Sequence, residues 1–255
     1  MDFDIQVKKA VILASGYGRR MRQRARFPSK PMRPVGGKPL ISYIIDLLIY
    51  GGAEKIYVVY HSVTSDVLNL LKYSAAYAEY LEFIEEDEQR GTLLSFSRVR
   101  DLVSPPFLMA FEDIIAEKED FLNMLNAGRQ HDAGKADLVI QTVCSPSVIS
   151  EQAFLTEAGR IIRYQKNGVT GAASGAQEKK YGGMVYLWLN DPFPLIDSYL
   201  SEQVYRFSAF LEDYIPGHTV LEMPISDMWD VDTPEAVELT EEFLEKRGDW
   251  DGCVK

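Results

Sequence analysis

Cysteine and histidine are scarce in this sequence of 255 residues, which has two cysteines, Cys144 and Cys253, and three histidines, His61, His131 and His218. The cysteines lie far apart and show no metal-ligand spacing, so we interpret both as reduced thiols of a cytoplasmic protein. The histidines are scattered and form no grouping typical of a Ser-His-Asp triad or a zinc site. The sequence therefore offers no evident histidine or cysteine nucleophile.

Long apolar runs and excess positive charge are also missing. No run approaches the roughly 20 apolar residues of a membrane-spanning helix. The N-terminal residues MDFDIQVKKA place acids before the lysines and have no long apolar core, unlike a secretory signal. The formal net charge is −11, from 27 Lys and Arg against 38 Asp and Glu, and such a chain should repel a nucleic-acid backbone. Neither a membrane nor a nucleic acid is an expected partner.

Apolar strands alternate with helices over the first 145 residues. We predict strands at 10–14, 55–61, 107–111 and 136–143 and at LEFIEE, and helices at 40–50, 63–73, 92–102 and 117–129, with Thr64 or Ser65 as a helix cap. This alternation predicts a mostly parallel sheet covered by helices on both faces.

The pattern changes after Ser145, where short segments with turn signals indicate an antiparallel addition to the sheet. A helix at 207–214, a strand at 220–224 and a helix at 233–246 are expected to follow, with Thr233-Pro234-Glu235 as a favourable helix start. Because we find no internal repeat and no separate linker, we expect one domain over residues 1–255.

The first expected strand runs into a turn that suits an anion. In LASGYG, small residues leave backbone N–H groups able to face a phosphate, and six Arg and Lys with no acid lie between Arg19 and Lys30. The dinucleotide fingerprint is broken by Met21, and a P-loop is broken by Pro39 where Ser or Thr should bind magnesium. Arg20 and Lys30 would bring positive charge to the turn, as a planar fork and a point charge.

The segment LASGYGRRM…PSKPMRPVGGKPLI resembles the signature of the sugar-phosphate nucleotidyltransferases, roughly L-A-A-G-x-G-T-R-[LM] and, after a spacer, P-K-P-[LM]-x-P-V-x-x-K-P-[LI]. Ser15 and Arg19 depart from that pattern. The matching residues are Leu13, Ala14, Gly16, Gly18, Arg20, Lys30, Pro31, Pro34, Val35, Lys38 and Pro39.

The resemblance implies that Arg20 and Lys30 are catalytic and stabilise charge on the α-phosphate and the departing pyrophosphate. The segment EQRGTLLSF resembles the family segment whose Gly and Thr lie against the nucleotide, although Thr92 could equally be a helix cap. The nucleotide-binding residues implied are Leu13, Ala14, Ser15, Gly16, Gly18, Gly91 and Thr92. The base is left open among CTP, UTP, dTTP and GTP.

Two acidic segments resemble the family's Mg²⁺ ligands. In FLMAFEDII, Asp113 matches a ligand that ends a strand, while Glu112 replaces a glycine. In MWDVDTPEAVEL, Asp230 is the better match for the second ligand, and Asp232 could instead orient the site or cap the last helix. The expected cofactor is Mg²⁺, held by Asp113 and Asp230.

The resemblance is weaker in the region that would bind the acceptor. Lys166 and Gly183 match family positions that contact the sugar phosphate, but Gln165, Asn167 and Tyr181 depart from the pattern. These departures leave the acceptor open between an unusual sugar phosphate and a phosphorylated alcohol or amine. Residues 1–145 are expected to bind mainly the nucleotide, and 146–225 mainly the acceptor.

The resemblance implies a three-layer α/β/α sandwich with a mixed, mostly parallel central sheet, of the nucleotide-diphospho-sugar transferase type and Rossmann-like. The expected activity is Mg²⁺-dependent transfer of a nucleotide from a nucleoside triphosphate to a sugar 1-phosphate, with release of pyrophosphate.

Several alternatives stay open: a cytidylyltransferase for a small phosphorylated alcohol or amine such as phosphocholine, and a catalytically silent nucleotide-sugar-binding regulatory protein. A glycosyltransferase of similar fold needs a D-x-D motif, and FED lacks its first acid. The expected partners are the triphosphate and a small phosphorylated acceptor, and a homo-oligomer is compatible with the sequence.

Overall fold

The computed structural model describes residues 7–16, 18, 28–130, 136–145, 152–166 and 176–247. The strands are β1 Lys9–Leu13, β2 Pro34–Val35, β3 Lys38–Pro39, β4 Lys55–Tyr60, β5 Leu81–Glu85, β6 Phe107–Phe111, β7 Ile114–Ala116, β8 Leu138–Val143, β9 Gln152–Glu157, β10 Arg160–Lys166, β11 Glu178–Trp188, β12 Val220–Pro224 and β13 Met228–Asp230. The α-helices are α1 Ile41–Tyr50, α2 Leu70–Tyr73, α3 Thr92–Ser97, α4 Lys118–Gln130, α5 Phe193–Ser201, α6 Phe207–Gly217 and α7 Pro234–Arg247. Short 3₁₀-helices cover Lys30–Met32, Ser62–Asn69 and Ala75–Glu79.

Nine strands form one mixed sheet in the order β5-β4-β1-β6-β11-β8-β12-β10-β9. The strands β5, β4, β1 and β6 are parallel to one another, which agrees with the strand–helix alternation of the sequence. The long strand β11 then runs antiparallel to β6, β8 and β9, so the predicted antiparallel addition is present. Strands from both halves of the chain share this sheet, and the division between nucleotide and acceptor regions stays a prediction.

Helices cover both faces of the sheet because β1 is apolar on both sides. Ala10 and Ile12 pack in one core with residues of α1 and α4, whereas Val11 and Leu13 pack in another with residues of α3, α5 and α6. Alternate strand residues point to opposite faces, so these two cores lie on opposite sides of the sheet. The expected three-layer α/β/α sandwich is confirmed.

Several element boundaries differ from the sequence expectations. The expected helix 63–73 is a 3₁₀-helix followed by the single turn α2, and its cap is His61, not Thr64 or Ser65. The His61 ring accepts from the N–H of Val63 at 3.2 Å, and the N–H of His61 donates to the Thr64 hydroxyl at 3.1 Å. The expected helix 92–102 ends at Ser97, and α5 was not predicted.

The last helix begins as the sequence predicts. The N–H of Ala236 donates to the Thr233 hydroxyl at 3.1 Å, and Pro234 occupies the first helical position. This helix packs through Leu244 against a small core around Trp229, which lies in β13. The packing anchors the strand that ends at Asp230. None of the described helices is long and apolar enough to cross a bilayer.

Candidate active site

A cavity of about 440 Å³ opens where β1 and β6 end. Both strands are parallel, so their carboxyl ends lie at the same edge of the sheet, where ligands bind in open α/β folds. The volume is within the roughly 300–1,000 Å³ typical of small-molecule sites. Leu13, at the end of β1, and Phe111, at the end of β6, both line it.

The turn after β1 contributes Ser15, Gly16 and Gly18 to the cavity wall. Ala14 lies behind them: it is fully buried, and its N–H donates to the carbonyl of Val59 at 2.8 Å, so that N–H faces the sheet. Gly18 has a φ of +58°, and a Cβ there would lie 2.9 Å from the Cβ of Lys30. Glycine is needed here because both the backbone conformation and the approach of Lys30 exclude a side chain.

A series of buried side-chain hydrogen bonds supports this turn. The hydroxyls of Ser15 and Ser95 lie 2.8 Å apart, and Ser95 donates to the carboxylate of the fully buried Glu86 at 2.5 Å. The side-chain amide of Gln89 donates to the carbonyl of Ser15 at 2.6 Å. The sequence analysis missed Ser95, Glu86 and Gln89, and the only signal for them was the departure at Ser15.

Gly91 and Thr92 line the cavity at the start of α3, as the resemblance implies. Gly91 has a φ of +159°, and a Cβ there would lie 2.4 Å from the carbonyl oxygen of Tyr205. That oxygen accepts from the N–H of Leu93 at 2.9 Å. The cap position of α3 is Gly91, so Thr92 is not the helix cap that was left as an alternative.

The carboxylates that the sequence placed far apart meet at one end of the cavity. Strand β7 follows Asp113 and pairs with β13 so that Ile114 lies opposite Asp230. The carbonyl of Asp113 also accepts from the N–H of Val231 at 2.9 Å. As a result, carboxylate oxygens of Asp113, Asp230 and Asp232 lie within 4.8 Å of one another. We call these three residues and Lys30 the carboxylate end.

Lys30 joins the acids at this end. Its ammonium is buried and donates to carboxylates of Asp113 and Asp232. Burial by itself would lower the pKa of Lys30, but the negative charges of Asp113, Glu112 and the other acids raise it well above its usual range. Lys30 is therefore a fixed positive charge.

Two neighbouring acids, Glu112 and Asp113, have a raised pKa and are less easily ionised than free carboxylates. Burial, followed by the charge of Asp113, raises the pKa of Glu112 to about 8. Burial also raises the pKa of Asp113, although the neighbouring Lys30 opposes that shift. Crowded carboxylates that are costly to ionise are typical of a site that binds an external cation.

The carboxylate end fits a divalent cation of the Mg²⁺ type. Hard cations prefer carboxylate oxygens, and three acids converge here. One oxygen of Asp113, Oδ1, is buried and has no hydrogen-bond partner, which leaves it available for a ligand bond. Asp113 and Asp230 would hold the ion, and Asp232 is also close enough to do so.

Strands β9 to β11 and the start of α6 also line the cavity, with Ser208 at their edge. We call five of these residues the extension wall: Gln152, Tyr164, Met184, Arg206 and Phe207. Gln152 is fixed on both sides, because it donates to the sulfur of Met184 at 2.8 Å and accepts from the hydroxyl of Tyr186 at 3.1 Å. The sequence analysis named none of the five wall residues.

The two predicted acceptor residues belong to the strands that build this wall, and the structure describes their backbone only. Lys166 is the last residue of β10 and pairs through the backbone with Gln152. Gly183 lies in β11, directly before Met184. The neighbouring Gly182 has a φ of +125°, and a Cβ there would lie 2.8 Å from the carbonyl oxygen of Gln141. Arg20 and Asn167 lie outside the described residues.

A family model described as nucleotidyl transferase matches residues 9–149, which is more than half of the chain. The chain belongs to the nucleotidyl transferase family. This confirms the family resemblance inferred from the sequence motifs, and the matched range contains Lys30 and Asp113 but not Asp230.

Members of the nucleotidyl transferase family with curated names align over part of the chain. The bifunctional protein GlmU of Methanococcus vannielii is 32% identical over 120 residues, which is 46% of this chain and 28% of that protein. The probable mannose-1-phosphate guanylyltransferase 1 of Oryza sativa subsp. japonica is 26% identical over 161 residues, which is 61% of this chain and 44% of that protein. The aligned part thus spans less than half of either relative.

Solved structures match the whole architecture. The inositol-1-phosphate CTP transferase from T. maritima has a TM-score of 0.73 at 16% identity and covers 94% of this chain and 97% of its own. The UTP-bound UGPase from Acinetobacter baumannii has a TM-score of 0.76 at 14% identity, with 96% of both chains covered. These similarities confirm the expected nucleotide-diphospho-sugar transferase type of fold.

Proposed function

We propose that this protein is a Mg²⁺-dependent nucleotidyltransferase that transfers a nucleotide from a nucleoside triphosphate to a sugar 1-phosphate, forming a nucleotide sugar and pyrophosphate. The observation that carries the proposal is the carboxylate end of the cavity. There, three acids and one buried lysine lie beside a glycine-containing turn at the end of β1. The family match and the named relatives support the same reaction class.

In the proposed reaction a phosphate oxygen of the acceptor forms a bond to the α-phosphorus of the triphosphate. The bond from that phosphorus to the oxygen bridging the α- and β-phosphates breaks, and pyrophosphate leaves with the bonding electron pair. A phosphate monoester is already a nucleophile at neutral pH, so no general base is needed. This agrees with the lack of a histidine or cysteine among the described residues that line the cavity.

The residues of the chain then act by position and charge. Lys30 holds a permanent positive charge where negative charge develops on the transferred and departing phosphates. The turn through Ser15, Gly16 and Gly18 would position the phosphates, and Gly91 and Thr92 would face the nucleoside. When bound by Asp113 and Asp230, Mg²⁺ would neutralise phosphate charge. Arg20 is proposed to add a second cation, as the motif implies.

The test is a matrix of the four triphosphates against phosphorylated small molecules, with pyrophosphate release measured with and without Mg²⁺. The acceptors include hexose 1-phosphates, inositol phosphate and phosphocholine. Release that requires one triphosphate, one acceptor and Mg²⁺ is the expected result. If no combination releases pyrophosphate from folded protein, the proposed activity is wrong.

The cellular setting stays a prediction. A cytoplasmic location is supported by Cys144, which is an exposed free thiol in the structure. A homo-oligomer remains compatible with the sequence.

A further inference from the structure

Three described cations line the cavity, and they differ in their partners. Lys30 is held by two carboxylates of the carboxylate end. Arg90 lies 2.9 Å from a carboxylate oxygen of Glu88 and donates to the hydroxyl of Tyr205 at 3.0 Å. Arg206 forms no ion pair or side-chain hydrogen bond with any described residue. Among the described lining residues, Arg206 is the one cation whose charge is not already paired with a carboxylate.

The backbone around Arg206 is fixed, although its side chain is exposed. On one side, the carbonyl of Tyr205 accepts from the N–H of Leu93 at 2.9 Å. On the other side, the ring of Phe207 is buried and lies 5.2 Å from the ring of Tyr186, edge to face. The backbone of Arg206 is therefore held between α3 and the sheet, unlike the backbone of an arginine on a mobile surface loop.

The chain is acidic overall, with 38 Asp and Glu against 27 Lys and Arg, and yet no described carboxylate pairs with Arg206 inside the cavity. A guanidinium presents a planar fork of donors that suits a carboxylate or a phosphate. The reacting phosphates already have Lys30 and the metal-binding acids at the carboxylate end. A further cation on the extension wall is therefore suited to bind an anionic group other than the reacting phosphates.

We propose that Arg206 selects acceptors that carry a second anionic group, a carboxylate or a further phosphate, in addition to the phosphate that reacts. This inference rests on the proposed nucleotidyl transfer and adds to it the class of acceptor. The wall around Arg206 agrees with one anionic point contact on an otherwise neutral molecule, because Gln152, Tyr164, Met184 and Phe207 carry no charge.

The experiment compares acceptors that differ only in the second anion. Glucose 1-phosphate is paired with glucuronic acid 1-phosphate and with glucose 1,6-bisphosphate, and glycerol 3-phosphate is paired with 3-phosphoglycerate. The measured quantity is the ratio of kcat/KM for the anionic acceptor to kcat/KM for its neutral partner, by pyrophosphate release. We expect a ratio of about tenfold or more in the unmodified protein, since a charge-assisted hydrogen bond is gained. The carboxylate and bisphosphate arms distinguish the two kinds of anion.

The variant Arg206→Gln should bring this ratio close to one while leaving kcat/KM for the neutral acceptor nearly unchanged. Arg206→Lys should keep part of the preference. Arg163→Gln is the matched control, because Arg163 is exposed and precedes Tyr164 on β10, so its side chain starts on the opposite face of the strand. It should keep the full ratio. A partial loss of folded protein lowers both kcat/KM values together and leaves the ratio unaffected.

Each contrary result has a distinct meaning. If neutral acceptors react and the unmodified protein shows no preference, the inference about Arg206 is wrong and the proposed function stands. The inference is also wrong if Arg206→Gln leaves the ratio at the value of the unmodified protein, and a raised KM for the triphosphate would then show that Arg206 binds the nucleotide. If no acceptor of either kind releases pyrophosphate, both proposals fail.

Discussion

The carboxylate end and the extension wall of the cavity are built in different ways. At the carboxylate end, Lys30 and three acids are buried or nearly so, and the lysine is held in place by ion pairs. The extension wall has one charged residue, Arg206, which is exposed and has no described partner. The first arrangement suits chemistry common to a family, and the second suits recognition of one particular acceptor. The two regions can therefore be separated by mutation.

The largest effect is expected for Asp113→Asn, which removes a charge from the carboxylate end with little change in volume. We expect kcat to fall about 10³-fold, since the loss of one preorganised electrostatic contact at a reacting phosphate has effects of that order. Pyrophosphate release measures it. Asp101→Asn is the control, because Asp101 is exposed and does not line the cavity. A fall of less than about tenfold, below the 10²–10³ typical of such a contact, would place the chemistry elsewhere.

The next effect is on stability. Lys30→Met leaves Asp113 and Asp232 buried without their cation, and removal of one partner from a buried ion pair costs about 3–5 kcal/mol. Urea unfolding in the presence of a chelator should show a loss of about 3 kcal/mol. Addition of Mg²⁺ should recover part of it, because an ion that binds only the folded state stabilises that state.

The control for this variant is Lys72→Met, at an exposed lysine of α2. It should change the free energy of unfolding by less than about 0.5 kcal/mol, as is usual for surface substitutions. Equal losses for the two variants would show that the Lys30 ion pairs contribute little to the folded state.

The sequence predicted two acids of the carboxylate end, one from a local rule and one from the family resemblance. A buried strand that ends in acids places them at the carboxyl edge of a parallel sheet, and Asp113 follows β6 in this way. The closing motif supplied Asp230, although no local rule shows that β13 pairs with β7 beside it. Asp232 was considered only as an alternative, and the structure brings it within reach of the same cation.

The extension wall could not be predicted because its residues are brought together only by tertiary contacts. Arg206 appears in the sequence as an ordinary basic residue before a helix. Its position depends on the contact of Tyr205 with α3, which only the glycine at position 91 permits. Local cues also failed at His61, because histidine is seldom considered as a helix cap while Thr64 and Ser65 follow it closely.

A smaller effect is expected for the buried hydrogen bonds that support the turn after β1. Ser95→Ala removes the donor to the Glu86 carboxylate and the contact with Ser15, and an unsatisfied buried acceptor costs about 1–3 kcal/mol. KM for the triphosphate should rise because the turn loses its support. Ser97→Ala is the matched control on the same helix, since the carbonyl of Leu94 is the one described partner of its hydroxyl. If stability falls by about 1–3 kcal/mol but KM is unchanged, these hydrogen bonds contribute to stability alone and do not position the triphosphate.

The smallest effect is expected at the edge of the extension wall, with Tyr205→Phe. This change removes the hydroxyl that accepts from Arg90 but keeps the aromatic ring, whose centroid lies 5.4 Å from the guanidinium carbon. Because Arg90 is exposed and also pairs with Glu88, we expect no measurable change in Tm. The acceptor preference assigned to Arg206 should also persist, since the backbone carbonyl of Tyr205 that contacts α3 is untouched. A large loss of stability or of preference would mean that the two arginines act together, and that this wall is as interdependent as the carboxylate end.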